Sequence, residues 1–252
     1  MTEKQNEHNM LMQFIEQDCF VDSKEKIAYP PVALSFGEKL VKSNKIEGDL
    51  IVPIPLGTFG NLSVVTAPPK TKKTFFISLL ASCYLSGSNQ FGGDIKGHRG
   101  TEGQLVHIDT EQGLWHCQKV FERVHKMDSN INSEIYHTFG LRSIDYKMRI
   151  QFIDYYLKEK IKAPSLIIID GIADLCSDAN NISESNHLVQ KLMEWSSLYK
   201  CHIINVIHQN FGSSKLGTGH LGSFLEKKAE TVIQLEANTV NKNWVTVKCG
   251  RS

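Results

Sequence analysis

The sequence of 252 residues lacks several features that mark specialised classes of protein. It has no uninterrupted apolar run near the roughly 18 residues that a membrane helix needs, and residues 1–9 lack the apolar core of a signal peptide. Its six cysteines include no CxxC pair, which argues against zinc and disulfide frameworks. The 28 basic residues nearly balance the 27 acidic ones, which leaves a net charge of +1. This chain therefore lacks the large positive charge of a nucleic-acid coat protein. These absences predict a cytoplasmic protein without a membrane partner.

What is present is the composition of an ordinary globular protein, with 41% hydrophobic, 22% charged and 9% aromatic residues. The length allows one large domain, or one domain with an appendage. The first 30 residues are polar apart from one short amphipathic pattern, and the Tyr29-Pro30-Pro31 turn closes them. We therefore expect an N-terminal arm over residues 1–35 and a single domain over residues 36–252.

From Pro31 onward, short apolar segments alternate with longer segments of helical period. The predicted strands are 62–66, 105–108, 135–138, 166–169, 202–207, 231–235 and 244–248. The predicted helices are 75–81, 114–126, 143–160 and 186–199. This alternation predicts an α/β fold with a mainly parallel central sheet flanked by helices. The polar stretch 238–243 suits a hairpin turn between the last two strands.

The turn after the first predicted strand resembles the phosphate-binding loop G-x-x-x-x-G-K-[ST]. It reads Ala67-Pro68-Pro69-Lys70-Thr71-Lys72-Lys73-Thr74. In that motif backbone N–H groups cradle the phosphates, the lysine neutralises the β and γ oxygens, and the hydroxyl holds Mg²⁺. Lys73 and Thr74 fit these roles, but Ala67 and Lys72 replace both glycines and the prolines remove N–H donors. A basic surface turn is the alternative that this segment leaves open.

Polar residues also end three of the later predicted strands. Asp170 follows four aliphatic residues, as in a Walker B strand whose carboxylate holds the water shell of Mg²⁺. Glu111 lies just past the second strand, where a carboxylate can orient or deprotonate an attacking water. His208 and Gln209 end the fifth strand and are candidates for a γ-phosphate sensor. Turn-capping acids and a polar strand end are the structural alternatives.

Together these segments resemble the RecA-type ATPases of the replicative-helicase branch, in particular the AAA-family ATPases and small hexameric helicases of plasmids, phages and mobilizable elements. The resemblance covers residues 56–252. It is carried by segments in the family's order: Thr58-Phe59-Gly60-Asn61, Lys72-Lys73-Thr74-Phe75, His107-Ile108-Asp109-Thr110-Glu111-Gln112-Gly113, Ile168-Ile169-Asp170-Gly171-Ile172-Ala173-Asp174-Leu175, Ile207-His208-Gln209-Asn210, Gly219-His220-Leu221-Gly222-Ser223 and Lys228-Ala229-Glu230-Thr231. It implies a RecA-like P-loop NTPase core preceded by a short arm.

The resemblance also implies roles for single residues, with ATP and Mg²⁺ as cofactors. Lys73 would bind the β and γ phosphates, and Thr74 and Asp170 would hold Mg²⁺. Glu111 would activate water, and the pair His208-Gln209 would sense the γ-phosphate.

Further implied roles concern assembly and nucleic acid. In such rings a basic residue near the last strand reaches the neighbouring subunit's nucleotide as an arginine finger, and Arg251 occupies that place, with Lys248 as second candidate. A solvated chain end is the alternative for Arg251. Lys215, in a Gly- and Ser-rich loop, is the candidate contact to a nucleic-acid backbone, with a plain surface loop as its alternative. The implied partners are single-stranded DNA, copies of the chain in a hexameric ring, and a primase, initiator or relaxase.

The favoured interpretation is an ATP-dependent DNA helicase or translocase in the replication or mobilisation of a mobile genetic element. One alternative is a nucleotide-binding accessory with weak or no turnover, since the phosphate loop departs from its motif. A scaffold that binds no nucleotide is the other. The sequence also departs from the family at Thr218, where an arginine is expected, and at Phe224, where an acid is common. Four aromatic residues lie in helical patterns that predict core positions: Phe75, Phe76, Tyr155 and Tyr156.

Overall fold

The computed structural model describes residues 3–42, 49–209, 217–241 and 243–251. The chain divides into two compact units, Met1–Pro30 and Pro31–Ser252. The first unit contains helix α1 (Glu3–Cys19), on which apolar side chains such as Met10 and Ile15 are exposed. Within the described part of the chain, no helix combines the length and the apolar character needed to cross a membrane.

The second unit alternates strands and helices. Its strands are β1 (Val32–Lys42), β2 (Asp49–Thr58), β3 (Leu62–Ala67), β4 (Ile95–Gly97), β5 (Gln104–Asp109), β6 (Tyr136–Gly140), β7 (Pro164–Asp170), β8 (His202–His208), β9 (Thr231–Ala237) and β10 (Val245–Arg251). Its helices are α2 (Lys73–Ser86), α3 (Leu114–Met127), α4 (Tyr146–Glu159), α5 (Ile182–Leu198) and α6 (Gly219–Lys228). Two short 3-10 turns cover Ser133–Ile135 and Ile172–Leu175.

The centre of the second unit is a seven-stranded sheet with the order β10-β9-β3-β8-β7-β5-β6. Neighbouring strands from β9 to β6 are parallel, and β10 pairs antiparallel with β9. The predicted α/β fold with a mainly parallel sheet is therefore confirmed. The predicted hairpin turn between the last two strands is confirmed as well.

Helices cover both faces of this sheet, so its central strands are apolar on both sides. In β7, Ile167 and Ile169 pack into one hydrophobic cluster, whereas Leu166 and Ile168 pack into another. The first cluster includes residues of α4, α5 and α6, and the second includes residues of α2 and α3. All four of these β7 side chains are fully buried, as expected for a strand central in a parallel sheet.

A smaller antiparallel sheet with the order β2-β1-β4 also belongs to this unit, and the sequence did not predict it. Its apolar alternation is interrupted by Gly37, at φ 66°, and by register irregularities between Ser35 and Glu38. Pro53 and Pro55 lie in β2, an edge strand, which is where sheets tolerate proline. Helix α6 was also missed, because its glycines are typical of a loop.

The segments around Thr58 and Glu230 join the start of β3 to the start of β9. The Thr58 N–H donates to Glu230 Oε2 at 2.9 Å, and its hydroxyl donates to the same oxygen at 2.9 Å. Asn61 Nδ2 donates in turn to Thr58 Oγ1 at 2.8 Å. These contacts lie at the amino end of β3. The segments 58–61 and 228–231 therefore stabilise the start of this strand and lie away from the turn at Lys73.

Candidate functional site

The strand register gathers the carboxyl ends of four strands at one edge of the sheet. Ala67 at the end of β3 pairs with His208 at the end of β8. Asp109 at the end of β5 pairs with Asp170 at the end of β7, which lies beside β8. Parallel sheets of this kind bind ligands at their carboxyl edge, so this is where a site is expected.

Lys73 is the first residue of α2, and its side chain is only 8% exposed. Its Nζ atom lies 3.6 Å from Asp170 Oδ1, 3.6 Å from Glu111 Oε1 and 3.4 Å from His208 Nε2. The structure thus brings together residues that the sequence predicted separately from four strand ends.

The turn before α2 has the backbone of an anion-binding loop despite its missing glycines. Lys70 and Lys72 both adopt left-handed conformations, at φ 65° and φ 58°. The N–H groups of residues 70–74 donate to no acceptor within the described residues. Successive free N–H groups at a helix start form a concavity suited to phosphate oxygens. Lys72 therefore keeps the left-handed backbone of the glycine it replaces, at a cost of about 1 kcal/mol.

The side chain of Lys72 has a second contact outside the turn. Its Nζ donates to the main-chain carbonyl of Asn243 at 2.9 Å, in the turn between β9 and β10. This hydrogen bond joins the phosphate-loop candidate to the last hairpin of the sheet.

Asp170 is 2% exposed, and its Oδ1 has no hydrogen-bond partner among the described residues. Burial raises the pKa of its carboxyl to about 6; Lys73 opposes this shift, and Asp109 and Glu111 add to it. No cluster of three or more His, Cys, Asp or Glu residues able to hold a metal occurs in the described part of the chain. Mg²⁺ at the free oxygen of Asp170 would therefore fit only with further oxygens from Thr74, water and a phosphate.

Glu111 and His208 face each other across the site. His208 Nε2 lies 3.3 Å from each Glu111 carboxylate oxygen. Burial alone would raise the pKa of Glu111, but the His208 hydrogen bond and the charges of Lys73 and His208 together lower it. The Glu111 carboxylate is thus held as an anion beside the lysine.

The turn that carries Glu111 is organised by Asp109, a residue without a predicted role. Asp109 Oδ1 accepts from the N–H groups of Glu111 at 2.9 Å and Gln112 at 2.8 Å. Its Oδ2 accepts from Gln112 Nε2 at 2.7 Å. An aspartate at the end of a strand, just before polar residues, is the signal of such a turn and was available in the sequence.

Gln209 does not face Lys73 in this structure. Its Nε2 donates to Thr66 Oγ1 at 3.2 Å, and the residue is 9% exposed, so its amide points into the sheet. Gln209 pairs with Gly217, and the N–H and hydroxyl of Thr218 both donate to the His208 carbonyl, at 2.9 and 2.8 Å. The residues that flank segment 210–216 therefore lie beside the site. Lys215, the predicted nucleic-acid contact, lies in that segment, outside the described residues.

The two candidates for an arginine finger lie on β10. Arg251 ends β10 and pairs with Val232 near the start of β9, so its backbone lies at the edge of the sheet opposite Lys73. Lys248 Nζ contacts Glu236 Oε2 at 2.6 Å within the chain. A role of Arg251 in phosphate chemistry would therefore concern the site of another subunit and stays a prediction.

A cavity of about 630 Å³ lies beside the phosphate-loop candidate, between α2, α3 and β10. Phe75 lines it and is 52% exposed, and the Arg123 guanidinium lies 5.4 Å from the centre of its ring. The expectation that Phe75 is a core residue was wrong, and Tyr155 is likewise 48% exposed, whereas Phe76 is buried. Helical period alone did not separate the core side of α2 from the side that faces this cavity.

Comparison with known proteins adds an independent finding. Residues 54–213, more than half of the chain, match the family model described as AAA domain. Among curated proteins, none matches the chain. The matched segment contains Lys73, Glu111, Asp170 and His208, and it includes the strands that bring them together. The chain therefore belongs to the AAA-domain family of nucleotide-binding P-loop ATPases.

Proposed function

We propose that this protein hydrolyses Mg-ATP and uses the energy to move along or unwind DNA in the replication or mobilisation of a mobile genetic element. The observation that supports hydrolysis most strongly is the set of contacts of Lys73 Nζ with Asp170, Glu111 and His208, all between 3.4 and 3.6 Å. A lysine, two carboxylates and an imidazole at one sheet edge match the needs of phosphoryl transfer to water.

The triphosphate would bind at the turn before α2. The free N–H groups of residues 70–74 supply hydrogen bonds to phosphate oxygens, and Lys73 supplies a buried cation. Lys73 lies between two acidic side chains, Glu111 and Asp170, which orient it towards the sheet edge. Mg²⁺, when bound, neutralises charge on the phosphate oxygens, and Thr74 and Asp170 are the residues that would hold it.

Glu111 is the proposed partner of the attacking water. Its lowered pKa keeps it ionised at neutral pH, so its carboxylate accepts a hydrogen bond from water and orients it towards the γ-phosphate. His208 lies within 3.3 Å of the same carboxylate and within 3.4 Å of Lys73. His208 could therefore exchange its hydrogen bond with Glu111 for one with a γ-phosphate oxygen. Such a change of partner would make the end of β8 respond to whether ATP or ADP is bound.

The nucleoside would occupy the cavity beside Phe75 and Arg123. This cavity adjoins Lys72 and Thr74, so it continues directly from the turn that would hold the phosphates. Its exposed aromatic ring and guanidinium offer stacking faces for a purine.

The DNA role is proposed from the residues that flank segment 210–216 and from the family resemblance. Gln209 pairs with Gly217, and the Thr218 hydroxyl donates to the His208 carbonyl, so a change at His208 would act on residues on both sides of that segment. We propose that copies of the chain form a hexameric ring, that Lys215 of each copy contacts single-stranded DNA, and that Arg251 completes the neighbouring site. The further protein partner would be a primase, an initiator or a relaxase. We also propose a cytoplasmic location, because ATP is the substrate.

Steady-state Mg-ATP hydrolysis with and without single-stranded DNA tests this proposal. The proposal expects turnover that DNA stimulates and that Lys73→Ala abolishes, while Lys126→Ala, which replaces an exposed lysine of α3, keeps most of it. Turnover that is the same with and without DNA would remove the helicase part. Turnover that survives Lys73→Ala would remove the site itself.

A nucleotide-binding accessory with little turnover is the second candidate. Pro68 and Pro69 favour it because they carry no N–H, so the cradle can begin only at Lys70. This candidate predicts saturable binding of ATP or ADP with negligible hydrolysis, and recruitment of a replication or mobilisation partner in the nucleotide-bound state.

A further inference from the structure

The turn between β5 and α3 holds Glu111 through contacts with the end of β7 and with the 3-10 turn that follows it. The Thr110 N–H donates to the Asp170 carbonyl at 3.0 Å, which fixes the turn to the end of β7. The Thr110 hydroxyl lies 2.8 Å from the Gly171 carbonyl and 3.0 Å from Asp174 Oδ2. Thr110 is only 1% exposed, so water cannot reach its hydroxyl. Loss of these acceptors would leave the hydroxyl buried without a hydrogen bond.

Asp174 is held in turn by a buried arginine. Arg149 on α4 is 9% exposed, and its Nη1 donates to the Asp174 carbonyl at 2.7 Å and lies 4.0 Å from Asp174 Oδ2. Its Nε donates to the carbonyls of Leu141 and Ile144, at 3.0 and 2.8 Å. One guanidinium thus fixes both Asp174 and the loop after β6.

Close packing transmits this order to the Glu111 side chain. Gly171 adopts φ 98°, and a Cβ atom there would lie 2.2 Å from Thr110 Oγ1 and 2.7 Å from Glu111 Cγ. The Glu111 methylenes therefore lie directly on the Gly171 backbone. A shift of Thr110 or Asp174 would move the Glu111 carboxylate relative to His208 and Lys73.

We propose that Thr110 and Asp174, the latter held by Arg149, are positioning residues that fix the Glu111 carboxylate at its place beside Lys73 and His208. The inference rests on the proposed hydrolysis for its effect on rate, but its geometric part concerns the nucleotide-free protein. None of the three residues has a hydrogen bond or ion pair with the phosphate-binding turn, and Thr110 contacts Asp170 only at its main-chain carbonyl, so we expect their main effect to be on Glu111.

Thr110→Val and Asp174→Ala test the proposal, with Thr110→Ser as the variant that keeps the hydroxyl. Asp178→Ala is the matched control, since Asp178 is an exposed aspartate that follows the same 3-10 turn. Arg149 is left unchanged because it donates to several main-chain carbonyls, so its substitution would destabilise the fold. We expect kcat to fall about 10- to 100-fold in Thr110→Val and Asp174→Ala, with the Mg-ATP Kd within about twofold of the parent. Thr110→Ser should restore most of the rate.

A second readout needs no hydrolysis. The charged groups around Glu111 are Lys73, His208, Asp109, Asp170 and Asp174. In the nucleotide-free protein, displacement of Glu111 from Lys73 and His208 should raise the pH midpoint at which Glu111 titrates. NMR of its carboxyl carbon measures this midpoint. The Asp178→Ala control should leave that midpoint in place.

The two readouts separate this inference from the proposed function. If the parent protein hydrolyses ATP and neither Thr110→Val nor Asp174→Ala lowers kcat, the positioning role is wrong. If the parent protein does not hydrolyse ATP, the proposed function is wrong and the Glu111 titration alone decides. A raised midpoint in both variants would then support positioning, and an unchanged midpoint would overturn it.

Discussion

The Nζ atom of Lys73 lies 3.6 Å from Oδ1 of Asp170, although their strands, β3 and β7, are separated by β8. The contact is possible because Lys73 begins the helix after β3 and reaches across the carboxyl end of the sheet. Burial raises the pKa of the Asp170 carboxyl, and the charge of Lys73 opposes this shift and stabilises the carboxylate. The two residues thus hold each other at the carboxyl edge of the sheet.

Asp170→Asn should change how stability depends on pH. The folded carboxyl keeps its proton up to about pH 6, whereas the unfolded one loses it near 3.8, so the folded state binds the extra proton between these values. Stability from this group therefore falls as pH rises through that window, by roughly 3 kcal/mol in total. We expect urea unfolding of the nucleotide-free variant to lack this fall. Parallel pH curves for the two proteins would contradict the assignment.

The two left-handed lysines of the phosphate loop form a matched pair. Lys70→Gly should raise the free energy of unfolding by about 1 kcal/mol, because glycine removes the left-handed strain. Lys72→Gly removes the same strain but also the hydrogen bond to the Asn243 carbonyl, worth about 1 kcal/mol, so its net gain should be near zero. Thermal unfolding measures both. An equal gain for both variants would mean that the Asn243 contact contributes no stability.

Gly171→Ala should both destabilise the protein and disturb the site. The φ of 98° is strained for alanine, and its Cβ would overlap Thr110 and Glu111, so we expect a loss of roughly 2 to 4 kcal/mol. Gly113→Ala is the control, because Gly113 has φ −67° and open space around its Cβ position. Its stability should stay within about 0.5 kcal/mol of the parent. Similar losses in both variants would show that the packing against Glu111 is not tight.

Arg123→Ala should weaken the binding of ATP more than that of inorganic triphosphate. Its guanidinium lies over Phe75 in the cavity proposed for the nucleoside, and contacts of this type contribute about 1 kcal/mol, or roughly fivefold in Kd. Lys119→Ala is the control, since Lys119 lies 5.5 Å from the ring centre of Trp115 on the same helix. Equal weakening for ATP and triphosphate would mean that Arg123 acts through the Thr74 carbonyl that it also contacts.

The central sheet and the main site residues were predictable because both follow simple patterns. Parallel strands buried on both faces are aliphatic runs, as in β7, and Asp170 comes directly at the end of this run. Lys73 and Glu111 follow strand ends and His208 ends β8, and parallel strands place such ends at one edge. The small sheet was not predictable in this way, since Gly37 and the prolines of β2 interrupt its alternation.

The contacts that hold the site were not predictable from local sequence. Thr110, Arg149 and Asp174 belong to three different elements, and each alone looks like an ordinary turn or helix-surface residue. Only the fold brings them within hydrogen-bonding distance. The orientation of Phe75 and Phe76 was equally unpredictable. Two adjacent aromatic residues in a helical pattern do not reveal which of them faces the core.

The measurement that tests the account most directly is Mg-ATP hydrolysis by Glu111→Gln, with the Mg-ATP Kd determined on the same preparation. Glu122→Gln, on the surface of α3, is the control and should match the parent in both quantities. The account predicts a Kd near that of the parent and a kcat lower by about 100- to 1,000-fold, because the amide cannot accept a proton from the attacking water. Hydrolysis by Glu111→Gln at the parent rate would contradict it.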